Sequence, residues 1–220
     1  MNKSSQKLAL VTGASRGLGT ALAQALAKRE YHIIAVARTT GALEELDDRI
    51  RAAGGQAPTL APMDVTEPQA MMQLVKAIAE RWGGLDLWAH CAIFAAPLTP
   101  AGHVDGKDLA KSLAINVTAT QNLIGLVEPL LQARSGTAII PDDPRAGEKF
   151  FAAYGASKAA QMALARSWQA ESERLGPRVI MPQPAPMPTA TRARFFPGEN
   201  RDPLSSCEAE AEKIIAGLQD

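Results

Sequence analysis

Apolar runs of three to six residues alternate along the chain with longer segments in which apolar side chains recur every three or four positions. The first pattern suits strands buried on both faces, the second amphipathic helices. It predicts strands over Leu8–Val11, Ile33–Ala37, Thr59–Ala61, Leu85–His90, Thr137–Ile140 and Val179–Met181. Helices are predicted over Leu18–Lys28, Ala42–Ala53, Pro68–Trp82, Asp108–Ala133 and Tyr154–Leu175, with a further helical tail over Glu208–Leu218. Regular strand-helix alternation implies βαβ units. Their right-handed crossovers give an α/β fold, a doubly wound parallel sheet of about six strands with helices on both faces.

The punctuation agrees. Gly54-Gly55, Gly83-Gly84 and Gly176-Pro177 stand where the second, third and fifth helices must stop. No linker divides the chain, so residues 1–220 are expected to form one domain. The segment Pro182–Ser206, with six prolines, falls outside the rhythm and is expected to be a functional loop or lid.

Composition narrows the function classes. The 220 residues are 46% hydrophobic and 21% charged, with 23 basic and 23 acidic side chains. That balance lacks the cationic footprint of a nucleic-acid or anionic-membrane partner. Cys91 and Cys207 lie far apart with no Cys/His cluster, which argues against a disulfide framework or a metal site and for a cytoplasmic location. The segment Met1–Lys7 is polar and followed by too few apolar residues for a signal peptide, and no run is long enough to span a membrane.

Directly after the first strand, Thr12-Gly13-Ala14-Ser15-Arg16-Gly17-Leu18-Gly19 opens the first helix. Glycines there allow a tight turn and close backbone approach, and free N–H groups at a helix N-terminus receive a pyrophosphate. An ordinary βα turn is the alternative for a lone glycine triplet. Its place at the first strand, where a dinucleotide fingerprint belongs, favours the functional reading, although the G-x-x-x-G-x-G spacing differs from the commoner G-x-G-x-x-G.

This turn, joined to Tyr154-Gly155-Ala156-Ser157-Lys158, resembles the short-chain dehydrogenase/reductase family over essentially the whole chain. Met63-Asp64-Val65, Leu85-Asp86-Leu87-Trp88 and Ile115-Asn116-Val117 fall in register with the same family. The resemblance implies a Rossmann-type NADP(H)-binding domain and a small-molecule substrate. Gly13, Ser15, Arg16, Gly17, Leu18 and Gly19 would cradle the cofactor, with Asp64 at the adenine edge, Val65 beneath it, and Ala92 and Pro184 as further cofactor-binding residues. The second strand ends in Ala37-Arg38 with no acid to hold a ribose 2′-OH, so NADP(H) is favoured over NAD(H), Arg38 and Arg16 being the candidate partners of its 2′-phosphate.

Tyr154 and Lys158 stand four apart on one helix face. A nearby ammonium is expected to lower the phenol from about 10, making Tyr154 a usable acid/base. By resemblance Lys158 also binds the nicotinamide ribose, and Asn116 holds a water that links Lys158 to solvent. Three departures set this chain apart from the family. Where it carries a Ser past the fifth strand, counting from Gly136 puts Asp143, in Pro141-Asp142-Asp143-Pro144, whose carboxylates are expected to face water in a turn; the alternatives are an Asp143 that assists when protonated by an apolar site or when the substrate carries a positive group. His90-Cys91-Ala92-Ile93 replaces Asn-Asn-Ala-Gly, with Ile93 where backbone normally meets the cofactor and His90 expected to be structural. Pro184-Ala185 replaces Pro-Gly. Two readings follow: an NADP(H)-dependent oxidoreductase interconverting a carbonyl and an alcohol, or a dinucleotide-binding, regulatory or scaffold protein whose chemistry has decayed.

In the lid segment, Phe195 and Phe196 either cover an apolar substrate or pack the loop onto the body, while Arg192 and Arg194 bind an acidic group or face solvent. The resemblance also implies a homodimer or homotetramer formed through the two long helices. The family's seventh strand does not follow the Glu208–Leu218 helix, so the sixth strand is expected at an exposed sheet edge.

Overall fold

The computed structural model describes residues 6–218. Six strands form one parallel sheet: β1 (Leu8–Thr12), β2 (His32–Ala37), β3 (Thr59–Pro62), β4 (Leu87–His90), β5 (Thr137–Ile139) and β6 (Arg178–Ile180), in the order β3-β2-β1-β4-β5-β6. Connecting them are α1 (Gly17–Ala27), α2 (Thr40–Ala52), α3 (Pro68–Trp82), α4 (Gly106–Leu113), α5 (Ala119–Gln132) and α6 (Ala152–Ser172). Every residue of β1 is buried, because successive side chains feed two cores. Leu8 and Leu10 join Ile34, Trp88, Val127 and Trp168 on one face of the sheet; Ala9 and Val11 join Leu22, Leu26, Ile33 and Ile214 on the other. The predicted fold class is the observed one, a Rossmann-type sheet with helices on both faces.

The predicted helix Asp108–Ala133 is divided. Between α4 and α5, residues Ala114–Thr118 form a π-turn. This widening accompanies a side-chain anchor: Asn116 Oδ1 accepts from Phe94 N–H (2.7 Å) and its Nδ2 donates to Phe94 O (3.0 Å), fastening the helix to the segment leaving β4.

The predicted loop 182–206 contains a short helix, α7 (Ala190–Phe195), whose N-cap Thr189 hydroxyl accepts from Arg192 N–H. It is followed by α8 (Cys207–Ala216), capped by Ser206 and packed on α1. Buried Glu210 on α8 ties both ends of this segment down. Its Oε2 accepts from Ala185 N–H (2.9 Å) and its Oε1 from Ser205 Oγ (2.6 Å) and Lys213 Nζ (2.7 Å). Strand β6 lies at the sheet edge as expected; it is three residues long, and Arg178 donates to the carbonyls of Gly217 and Leu218 after α8. Short edges of this kind present few unpaired backbone groups.

Candidate active site

The strand order reverses between β1 and β4, and ligands of open α/β sheets sit beyond the strand ends at such a point. A cavity of about 450 Å³ opens there. Gly13, Ser15, Arg16, Gly17, Leu18, Gly19, Arg38, Asp64, Val65, Ala92, Tyr154, Lys158 and Pro184 all line it. Asn116 does not; its side chain is consumed by Phe94 and by Ser157 Oγ (2.9 Å) behind the wall.

The nucleotide side is built from backbone. Gly13 adopts φ +83°, and a Cβ there would lie 2.5 Å from Ala92 N and 2.6 Å from the Cys91 carbonyl carbon. A Cβ on Gly19 would lie 2.2 Å from Gly13 O. Only glycine lets the turn fold this tightly against the end of β4. Arg16 occupies the N-cap of α1 in an extended conformation without capping through its side chain, and no acidic residue sits in the first turn. The helix N–H groups are therefore available to an anion. At the far end Arg38 is exposed and 3.8 Å from Asp64, which also accepts from Thr66 N–H and Oγ1. Ile93 does not adopt a positive φ, so it replaces glycine without backbone strain, and it packs against the apolar cluster that contains Phe151, Tyr154 and Phe195. These features fit a dinucleotide pyrophosphate.

Below the cavity runs a buried polar network. Lys158 Nζ donates to Pro141 O and to Gln161 Oε1 (2.7 Å), two of its three donors. Gln161 Nε2 donates to Thr120 Oγ1 (2.9 Å), whose hydroxyl donates to Asn116 O (2.8 Å). Thr120 Oγ1 must then accept from His90 Nε2 (2.9 Å), leaving His90 Nδ1 to accept from Thr12 Oγ1 (2.7 Å). The donor count thus fixes the Nε2–H tautomer. Burial, with the Lys158 charge second, pushes His90 down to about 3, so the ring is neutral. His90 is structural, as expected. Burial also holds Lys158 down at about 8 and pushes the Cys91 thiol up to about 12, an unreactive cysteine.

The substrate side departs from the sequence-based expectation. Asp143, partly exposed, is not left to water alone: its Oδ2 accepts from the Tyr154 hydroxyl (2.9 Å) and its Oδ1 from Arg145 Nε (3.0 Å). Arg145 also donates to both Glu148 oxygens at 3.0 Å. Gly155 makes the approach possible, since a Cβ there would lie 2.5 Å from Arg145 O. The Tyr154 phenol, expected to be lowered by Lys158, is instead raised, first by burial and then by the Asp143 charge and hydrogen bond. The ammonium is engaged with Pro141 and Gln161, while the carboxylate touches the phenol directly. Phe195 is buried, its ring 4.8 Å from both Phe151 and Tyr154, so the lid aromatics pack onto the body. Neither lid arginine is free: Arg192 pairs with Glu199 and Arg194 donates to Ala95 O (2.6 Å). Sequence reasoning missed Arg145 and Gln161. The signal for Gln161 was its place three residues after Lys158, on the same helix face.

A phosphate-binding βα turn at the switch point of a doubly wound sheet, faced by a Tyr–Lys pair, defines a dinucleotide-binding class of α/β protein. The chain belongs to the short chain dehydrogenase family, whose model matches residues 7–200. It is 34% identical over 158 residues to an uncharacterized oxidoreductase of Mycobacterium tuberculosis, a match covering 70% of this chain and 59% of that protein. It is 32% identical over 183 residues to a glycine betaine reductase of Emericella nidulans, covering 82% of this chain but 14% of that much longer protein. A crystal structure of a short chain dehydrogenase from Escherichia coli complexed with NADPH superposes with a TM-score of 0.86 at 25% identity, covering 99% of this chain and 92% of that one. Among the described residues no helix is long and apolar enough to cross a membrane.

Proposed function

We propose that the chain is an NADP(H)-dependent oxidoreductase that interconverts a carbonyl and an alcohol on a small organic substrate. The observation that carries this reading is the glycine turn under an uncapped α1 N-terminus, with Tyr154 and Lys158 on the opposite wall of the same cavity. Gly13 through Gly19 hold the pyrophosphate, Arg38 and Arg16 favour a 2′-phosphate, Asp64 and Val65 hold the adenine end, and Ala92 and Pro184 flank the nicotinamide end. The NADPH complex of the Escherichia coli relative supports the same choice. When bound, the cofactor supplies the hydride.

Lys158 holds the ribose with its remaining N–H, its other two donors being taken by Pro141 O and Gln161. Tyr154 gives its proton to the substrate oxygen, for which it must turn from Asp143. Asn116 acts as a positioning residue: it sets the distance between the β4 exit and α6 through Phe94 and Ser157. Glu210 holds the 182–206 segment over the site through Ala185 and Ser205. We further propose that residues 1–220 form one domain, that the protein is cytoplasmic and that it assembles as a homodimer or homotetramer; Leu109 and Leu113, exposed on α4, support a helix-mediated contact.

The competing reading, a dinucleotide-binding protein without turnover, draws on one observation, the engagement of the Tyr154 proton by Asp143. NADPH fluorescence titration followed by a carbonyl panel decides. Binding, with turnover that falls about 100-fold or more in Tyr154→Phe, supports the enzyme. Binding with turnover unaffected by that change sinks the mechanism, and absence of binding sinks both readings.

A further inference from the structure

Hydride addition to a carbonyl places negative charge on oxygen, and a site adapted to it surrounds that oxygen with donors. Here the substrate end of the cavity presents acceptors instead. Asp143 Oδ2 lies 2.9 Å from the Tyr154 hydroxyl, the atom that faces the reacting group. The position is built rather than accidental. The loop carrying Asp143 is seated on α6 by Gly155, tied to the β6 exit by Asp142 N–H donating to Pro182 O (2.8 Å), and braced by Arg145 on Asp143 Oδ1. Arg145 does not cancel the local charge, because it is shared between two carboxylates, Asp143 and Glu148. The lid arginines are occupied by Glu199 and Ala95 O. Beside this, Tyr154 and Phe195, their rings 4.8 Å apart, add apolar lining to the cavity.

A carboxylate that repels an alkoxide stabilises a cation at the same point. We propose that this site also reduces the C=N bond of an iminium ion, in preference to a neutral C=O, with Asp143 as the residue that determines the choice. The inference rests on the NADP(H) reading above. The step balances without a general acid: one hydride, drawn from the reduced nicotinamide, forms the new C–H bond at carbon. The C=N π pair moves onto nitrogen and quenches its positive charge, and the products are a neutral amine and oxidised nicotinamide. Tyr154 then needs to lose no proton to the substrate, so its hydrogen bond to Asp143 persists through the reaction. Carbonyl reduction, by contrast, must break that bond.

The test pairs a permanently charged substrate with a neutral one of the same size: N-methyl-3,4-dihydroisoquinolinium and 2-tetralone, with NADPH. Wild type is expected to show a kcat/KM for the iminium about 100-fold above that for the ketone. Asp143→Asn and Asp143→Ser are each expected to cut that ratio by about tenfold or more, the serine variant also raising ketone turnover. A binding readout needs no turnover. By calorimetry, N-methyl-tetrahydroisoquinolinium should bind the wild type, with NADP⁺ present, about tenfold or more tightly than it binds Asp143→Asn. Ketone turnover equal to or above iminium turnover, or a ratio unchanged by both substitutions, overturns the inference while leaving the oxidoreductase reading standing. NADPH binding with no turnover of the iminium also overturns it. Failure to bind NADPH at all overturns the parent reading, and the inference with it.

Discussion

The two ends of one cavity are made in different ways. The nucleotide end is backbone: glycines at φ +83° and +59°, helix N–H groups, and strand ends packed so closely that a single Cβ at Gly13 or Gly19 cannot be accommodated. The substrate end is side chain: Asp143, Arg145, Glu148, Tyr154, Phe151 and Phe195, joined by hydrogen bonds and ring contacts. Backbone sites tolerate little change and keep a recognisable spacing. Side-chain sites can exchange a neutral hydroxyl for a carboxylate while the fold around them stays the same. The proposed catalysis falls at the junction, where Tyr154 is bonded to Asp143 of the side-chain end and Lys158 to the polar network beneath the backbone end.

The largest effect is expected from Gly13→Ala. Its methyl would meet Ala92 and Cys91 backbone at a φ that alanine rarely adopts, so NADPH affinity should fall about 100-fold or more and stability by about 3 kcal/mol. A near-normal titration and melting curve would break the claim that this end is fixed by backbone.

Next comes the junction. Lys158 is held at about 8 in the fold against 10.5 in the free side chain. Between those values the unfolded chain binds the extra proton, so Lys158 contributes stability that grows with pH across that window, while the Cys91 thiol, held up at about 12, and the raised Tyr154 phenol contribute with the opposite sign at the alkaline end. The Lys158 contribution is about 3 kcal/mol over the whole window, read as the growing difference between wild type and Lys158→Met in urea unfolding followed from pH 7 to 10. Parallel pH profiles for the two proteins would assign the titration to another group.

At the substrate end, Glu210→Gln removes a charged acceptor shared by Ala185 N–H, Ser205 and Lys213, and should cost about 2 kcal/mol. Its carboxyl is held down at about 2, chiefly by Lys213 and then Ser205. The wild-type advantage is therefore present above pH 4.5 and lost as pH falls from there toward 2, so the two proteins should converge in acid. The smallest effect is at the rim of the nucleotide end. Arg38→Ala should weaken NADPH by about tenfold, 1.4 kcal/mol, and leave NADH unchanged. Equal loss for both cofactors would remove Arg38 from the 2′-phosphate.

The same contrast explains what could be read in the sequence. All six strands and the glycine turn were legible, because burial on both faces and positive φ leave marks on residue type. Tyr154 and Lys158 were legible from the family resemblance that their register with the glycine turn carries, their spacing placing both on one helix face. The π-turn at Ala114–Thr118 was not, since it accompanies the Asn116 anchor on Phe94, a contact between segments 22 residues apart. Nor was α7, hidden in a proline-rich stretch that looks like a loop. Asp143 looked like a turn residue because Pro-Asp-Asp-Pro has that local preference. What overrides it is tertiary: the hydroxyl of Tyr154, the guanidinium of Arg145 and the space left by Gly155. The raised phenol follows from the same contact, which no spacing rule contains.

The central claim is that the backbone-built end and the side-chain end still form one working site, and isotope transfer tests it most directly. With NADPH deuterated at the transferring C4 position and the iminium and carbonyl substrates, mass spectrometry should find one deuterium in the product formed by the wild type. That transfer should fall about 100-fold or more for the carbonyl substrate in Tyr154→Phe. Protein that binds the labelled cofactor, yet passes deuterium to no substrate, would contradict the account.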